Sequence, residues 1–211
     1  SEVKFEVKAK GGIAGGICGY LDGGVISECS AKGSVDVYSS NPSAYAGGVC
    51  AVNEGGKVLR CRSEADVSSR GAQGSAAGGL AAKNNGLVKD SYSVGTVAAS
   101  ADGGKGNVYA GGLVACNFGS LGDGYATGEV KGEKGKTSAS GTVCGANYGS
   151  VENCYAAKAE GMGTLGYSPA ATDTRALETD EFASLAEKLD GSLGVWKNGR
   201  NGYPVLAWQE A

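Results

Sequence analysis

The chain has 211 residues, a formal net charge of −3, 39 glycines, 3 prolines, 7% aromatic and 19% charged residues. Glycine stands far above its usual share of about 7%, and large side chains are too few for a conventional two-layer core; a hydrophobic share of 41% argues against disorder, which goes with low hydrophobicity and high net charge. Without a concentrated positive surface the chain is a poor partner for nucleic acid or anionic membranes, and no apolar run reaches the roughly 20 residues of a membrane span.

Residues 1–10 open with Ser1-Glu-Val-Lys-Phe-Glu-Val-Lys8, an alternation of polar and apolar side chains that predicts an N-terminal capping strand. It does not read as a signal peptide. If the natural protein is exported, its signal lies upstream.

Residues 11–168 are repetitive. A double glycine recurs at Gly15-Gly16, Gly47-Gly48, Gly78-Gly79 and Gly111-Gly112, and in altered form at Gly141-Thr142, with spacings of 32, 31, 33 and 30. One residue after each pair is aliphatic: Ile17, Val49, Leu80, Leu113, Val143. Further slots hold Leu21, Asn53, Asn84, Asn117 and Asn147; then Val25, Lys57, Val88, Leu121 and Val151; then Cys29, Cys61, Tyr92, Tyr125 and Tyr155; then Val35, Val67, Val97 and Val130. A period of about 20–50 residues marks a solenoid, propeller or array. Within a copy, short runs such as Ala110–Ala115 and Gly124–Val130 read as strands, and Asn117-Phe-Gly119 reads as a turn. No helical periodicity occurs in the repeats.

One such unit cannot bury its apolar edge alone. Stacked as coils about 4.8 Å apart, the units place equivalent aliphatic residues in an interior ladder, and the asparagines in a hydrogen-bonded side-chain ladder of the kind identical stacked strands allow. The expected fold is therefore all-β: a repeat solenoid, a parallel β-helix of five coils of about 31 residues.

Residues 169–211 change character. Glu178–Leu189 predicts a helix over about 179–190, N-capped by Thr179, with Asp180 and Glu181 in its first turn and Gly191 at its end. Phe182, Leu185 and Leu189 share one face. With Val195-Trp196 and Tyr203–Trp208 they predict a C-terminal cap, an aromatic plug closing the last coil.

Two copies carry a recognisable pattern: Gly112-Leu-Val-Ala-Cys-Asn-Phe-Gly-Ser-Leu-Gly-Asp-Gly-Tyr-Ala-Thr-Gly-Glu-Val130, and Gly79-Leu-Ala-Ala-Lys-Asn-Asn-Gly-Leu-Val-Lys-Asp-Ser-Tyr-Ser-Val-Gly-Thr-Val97. The pattern resembles the GLUG motif of bacterial surface and secreted proteins, over roughly residues 11–160. The ending Trp196…Asn201-Gly-Tyr-Pro-Val-Leu-Ala-Trp208 is similar to tails that follow such repeats. Copies one and two depart from the motif, with Cys29 and Cys61 in place of tyrosine and Leu21 in place of asparagine. The resemblance implies an extracellular or cell-surface setting, often inside adhesin-like or peptidase-bearing polypeptides, and no activity for the repeats themselves.

The residues give little chemistry. There is no histidine, which removes Ser-His and Cys-His nucleophiles and histidine metal sites. Seven cysteines include Cys18, Cys50 and Cys144 in one slot and Cys29 and Cys61 in another, with Cys116 and Cys154 alone. None forms a Cys-x-x-Cys pair, so zinc is not expected. Stacked side chains pointing the same way suit a disulfide dihedral poorly, and small buried thiols are the expectation. Parallel β-helices also host polysaccharide lyases and hydrolases. The acidic residues Glu28, Glu54, Glu64, Asp66, Asp90, Asp123, Glu129 and Glu152 occupy different slots, and only Glu64 and Asp66 form a local pair on one strand face.

No catalytic, cofactor-binding or metal residue is therefore assigned. The expected function is a non-catalytic structural or adhesive module presenting an extended face to protein or glycan. Its expected partners are other domains of a longer polypeptide and host or bacterial surface molecules. The alternatives are a carbohydrate-active β-helix enzyme working through Glu64 and Asp66, or an accessory domain of a larger surface peptidase.

Overall fold

The computed structural model describes residues 2–40, 43–104, 106–133, 135–190 and 194–210. Its second coil shows the path: Ala44–Gly47, Cys50–Glu54, the short strand Lys57–Leu59, then the long strand Arg62–Gly71. Equivalent strands of successive coils pair in parallel and form sheets of five, six and twelve strands. The fold is a β-solenoid of about five turns with a short helix near the C-terminus.

Register follows the repeat. Gly15, Gly47, Gly78, Gly111 and Gly141 are successive partners across the five-stranded sheet. Leu21, Asn53, Asn84, Asn117 and Asn147 are successive partners in the six-stranded sheet. Val7, Val35, Val67, Val97 and Val130 do the same on the long strands. Val49, Leu80, Leu113 and Val143 are fully buried in a single cluster.

The interior has two lobes. One gathers the aliphatic slot after the glycine pair with Val58, Val88, Leu121 and Val151. The other gathers Val35, Val67 and Val97 with Ala14, Ala46, Ala77 and Ala110 of the five-stranded sheet. The second glycine of each pair forms the waist between them. A Cβ on Gly48 would lie 2.2 Å from both the Gly79 carbonyl oxygen and Ser63 Oγ. A Cβ on Gly79 would meet Gly112 O at 2.1 Å and Ser93 Oγ at 2.2 Å. At Gly48 and Gly79 only a residue without a side chain lets the coil close this tightly; the last coil carries Thr142 in this slot.

Two slots differ from their sequence alignment. Copies one and two carry one extra residue in the turn after the asparagine slot, Gly23-Gly24 and Gly55-Gly56, against the single Gly86 of copy three. The chain is shifted by one from there. Ile26, not Val25, pairs with Val58, which pairs with Val88, and Val25 is left exposed. Cys29 and Cys61 likewise leave the tyrosine slot, where Ser30 and Arg62 stand below Tyr92, Tyr125 and Tyr155. Cys154 pairs with Gly124, the residue before Tyr125, so it occupies the slot of Cys29 and Cys61 and does not stand alone.

At the N-terminal edge, Glu2–Ala9 pairs in parallel with Ser30–Ser39. Phe5 fills the waist of the first coil, next to Gly16. Past the fifth coil, Leu165–Tyr167 covers Cys144–Asn147 and Thr174–Leu177 covers Ser150–Ala157, a partial sixth rung.

The C-terminal segment differs from the expected plug. A 3-10 turn at Thr179–Ser184 leads into the helix Leu185–Asp190. Glu178, not Thr179, is the N-cap, and its N–H donates to Glu181 Oε2 at 2.9 Å. The expected terminator Gly191 lies outside the described residues. Phe182, Leu185, Leu189, Trp196 and Leu206 are buried together against Tyr92 and Tyr125. These tyrosines project from the outer flank of the twelve-stranded sheet, so the segment lies along the side of the solenoid and not across its end. It reaches back several coils: Asn153 Nδ2 donates to Lys188 O at 3.1 Å, Tyr125 Oη to Pro204 O at 2.6 Å, and Trp208 Nε1 to Arg60 O at 2.9 Å.

Candidate functional site

The acidic residues are the first place to look for catalysis, and several of them tie one coil to the next. Glu64 lies on the outer face of Arg62–Gly71 between Lys32, at 2.9 Å, and Arg62. Burial alone would raise its pKa, but these two cations hold it below the ordinary value. Asp66 Oδ1 accepts hydrogen bonds from Thr96 N–H at 2.9 Å and Thr96 Oγ1 at 2.7 Å. Both members of the one local acidic pair are thus taken up by partners in the ladder, Glu64 by Lys32 and Arg62 and Asp66 by Thr96. Glu54 accepts both bonds of the Asn85 amide at 2.8 and 2.7 Å. Asp123 takes Lys89 at 3.1 Å and Asn153 Nδ2 at 2.6 Å. Asp90 is raised by burial, and Lys89 and Asp123 bear on it next. Among the described residues no group of three or more potential ligands is arranged to hold a metal ion.

The seven cysteines are free thiols. Cys18 pairs with Cys50 across the ladder, and Cys144 joins the same slot through Ala81 and Val114. Buried thiols donate to local carbonyls: Cys50 to Val52 O at 3.1 Å, Cys154 to Glu152 O at 3.2 Å. Burial pushes Cys50, Cys61 and Cys116 each up to about 12 and raises Cys144 and Cys154 as well. A thiol without thiolate character is not a nucleophile.

The exposed faces carry more. A groove follows the concave corner where the five- and six-stranded sheets meet at the glycine pairs. Its floor is Ala76, Ala82, Ala115 and Cys116, all buried, with Tyr45 and Tyr109 packed over them. Tyr45, Ala76 and Tyr109 are successive partners on three rungs. Across the groove stand Lys83 and Phe118, with Lys83 Nζ 5.7 Å from the ring centroid. Together they enclose a cavity of about 200 Å³, also bordered by Ser43 and Asn107. Phe118 continues into a surface row. It stacks on Tyr148 at 5.0 Å and 10°, and Tyr148 meets Tyr167 at 5.6 Å. All three rings are about half exposed.

This groove has a signal in the sequence. Tyr-Ala-Gly-Gly occurs at 45–48 and 109–112 with Ala-Ala-Gly-Gly at 76–79 between them, and Asn-Phe-Gly is followed one coil later by Asn-Tyr-Gly. Larger clefts open elsewhere on the surface. One of about 640 Å³ lies on the long-strand flank beside Asp36, Arg70 and Lys131. One of about 440 Å³ lies under the C-terminal segment beside Arg62, Tyr92 and Arg200.

No protein-family model matches the chain, and no curated protein does. Among solved structures it is similar to one described as the "crystal structure of a putative immunoglobulin A1 protease from Bacteroides ovatus". Identity is 26%, the TM-score is 0.60, and the match covers 94% of this chain and 64% of that one. The chain therefore spans less than two thirds of that protein's length.

Proposed function

We propose that the chain is a non-catalytic structural and adhesive module of a bacterial surface or secreted protein, built from GLUG-type repeats. The observation that carries this reading is how the outer polar groups are used. Glu28 binds Arg60, Glu64 binds Lys32, Arg70 binds Asp102 and Lys89 binds Asp123, each pair joining adjacent coils. Such groups are engaged with each other along the ladder and present no free acid–base pair. The raised thiols support the same view, since they offer no nucleophile at neutral pH.

A second reading, an accessory domain of a larger surface peptidase, has one specific support. The similar Bacteroides ovatus protein is described as a "putative immunoglobulin A1 protease" and is longer than this chain. Both readings put the chain outside the cell, next to other domains of a longer polypeptide.

The test is to incubate the protein with immunoglobulin A1 and with a panel of polysaccharides. Intact heavy chain and no released sugar are expected. Fragments or reducing sugars that Glu64→Gln or Asp66→Asn abolishes would establish an enzyme instead.

A further inference from the structure

We propose that the edge strand Glu2–Ala9 is a homodimer interface, pairing antiparallel with the same strand of a second copy in a register centred on Phe5. The site lies at the end of the solenoid and goes beyond the reading of its outer faces.

The N-terminal end is open. Among the described residues, Glu2–Ala9 is the outermost strand of the twelve-stranded sheet and pairs on one side only, with Ser30–Ser39. Its other side presents a row of backbone N–H and C=O groups, a template for pairing with another chain. The first coil behind it is also uncovered. Ile17, Cys18, Ile26 and Cys29 are only partly buried, whereas their counterparts in the second coil, Val49, Cys50, Val58 and Cys61, are fully buried. The opposite end carries a partial sixth rung.

The charges select the occupant. Val3, Phe5, Val7 and Ala9 share the inner face of the strand, with Val7 in register with Val35. Glu2, Lys4, Glu6 and Lys8 share the outer face and alternate in sign. They pair along the strand, Lys4 with Glu2 at 3.5 Å and Lys8 with Glu6 at 2.5 Å, and all four side chains are at least 45% exposed. The neighbouring strand does not account for the alternation. It sets Ser30, Lys32, Ser34 and Asp36 beside these four, so Lys4 meets a like charge.

A second copy does account for it. Directly opposite residues of an antiparallel pair share a face. Centred on Phe5, Glu2 lies opposite Lys8 and Lys4 opposite Glu6, each twice by symmetry, while Val3 lies opposite Val7 and Phe5 opposite its own copy. This is an isologous two-fold contact. Moving the register by two residues sets Lys4 against Lys4 and Glu2 against Glu6, or Glu6 against Glu6 and Lys4 against Lys8. Moving it by one turns the charged face onto the apolar one. A symmetric parallel pair sets every charge against its own kind. Like charges directly opposite are destabilising, so one arrangement is selected among symmetric pairings that overlap over most of the strand. It also lays Val3, Phe5 and Val7 of both copies in one apolar layer between the two open interiors.

The test is sedimentation of the intact chain from micromolar to submillimolar concentration, with circular dichroism of each variant as the check on folding. A reversible monomer–dimer equilibrium is expected, weakening as salt rises from roughly 0.05 to 0.5 M. Lys4→Glu turns two attractive pairs into two repulsive ones and is expected to weaken the dimer at least about tenfold. Adding Glu6→Lys to it restores every pair across the two-fold while setting like charges side by side along the strand. The double variant is therefore expected to dimerise as the parent does, which separates pairing between copies from pairing within one. Lys131→Glu, in an exposed pair with Glu129 on the fourth coil, is expected to leave the dimer unchanged. The proposal is overturned if the chain stays monomeric at every concentration, if it forms open-ended larger species, if Lys4→Glu dimerises as the parent does, or if the double variant stays as weak as the single one. None of these outcomes bears on cleavage, so the non-catalytic reading stands or falls separately.

Discussion

Asn53 lies directly over Leu21, and its Oδ1 is buried without a hydrogen-bond donor. Elsewhere in that slot the side chains form a continuous relay: Asn53 Nδ2 donates to Asn84 Oδ1 at 2.7 Å, Asn84 to Asn117 at 2.8 Å, and Asn117 to Asn147 at 2.8 Å. The oxygens of Asn84, Asn117 and Asn147 each accept a hydrogen bond from the coil before. The first coil supplies leucine, so the relay starts one donor short. An unsatisfied buried acceptor costs about 1–3 kcal/mol. Leu21→Asn should therefore be more stable than Leu21→Ala by about 1 kcal/mol or more, although asparagine is the more polar replacement. Urea denaturation of the two variants checks this; equal midpoints would show that the relay does not extend.

Within the relay, Asn84 serves two neighbours and its own turn, donating also to Ser120 O at 3.1 Å and Gly86 O at 3.3 Å. Asn84→Ala strands the Asn53 donor and the Asn117 acceptor together. A loss of about 2–4 kcal/mol is expected. Leu113→Ala, in the fully buried aliphatic ladder, should cost about 2–5 kcal/mol. The exposed Val25 is the control: Val25→Ala should change stability by less than about 0.5 kcal/mol. Chemical denaturation orders the three.

The thiols make a pH prediction. Burial holds Cys50, Cys61 and Cys116 near 12, against 9.0 for an unperturbed thiol. Above pH 9 the unfolded chain releases protons that the folded chain keeps. Stability is therefore full below pH 9 and falls as pH rises from there toward 12, by about 1.4 kcal/mol per pH unit for each thiol. Replacing Cys50 and Cys116 with alanine should flatten that decline. At neutral pH a thiol reagent should label the partly exposed Cys18 and Cys29 first and the five buried thiols only on unfolding. Rapid labelling of all seven in the native protein would contradict the packing.

The C-terminal segment is held sideways by aromatic contacts. Tyr92 and Tyr125 stack at 4.9 Å and 6°, and Trp196 lies about 6 Å from both rings. Trp196→Ala should cost about 3–5 kcal/mol and free residues 194–210 to limited proteolysis. Cleavage there should leave the coils folded by circular dichroism. Collapse of the whole β signal on cleavage would mean that the segment is part of the core.

Much of this was legible in the sequence because a solenoid repeats its reasons. Gly47, Leu80, Asn84 and Val97 each recur at the same step, and their stacking follows from the count alone. The one-residue shifts at Val25 and Cys29 were hidden because the extra glycines Gly24 and Gly56 sit in turns, where an insertion changes no hydrophobic pattern. The outward direction of the tyrosines follows once the register places Arg62 beside Tyr92. Arg62 and Val67 stand five residues apart on one continuous strand, and an odd step puts them on opposite faces. With Val67 inside, the Tyr92 slot must face out, and the aromatic tail must follow it to the flank. The groove depends on Tyr45 and Tyr109 meeting Phe118 across a corner. No pattern within a single strand encodes that meeting.

The in-register stacking of successive copies is tested most directly by methyl nuclear Overhauser effects in the intact protein. With coils about 4.8 Å apart, Leu80 should show strong cross-peaks to Leu113, and Leu113 to Val143, across 33 and 30 residues of sequence. Cross-peaks confined to residues within one copy, with none between Leu80, Leu113 and Val143, would contradict the stacked solenoid.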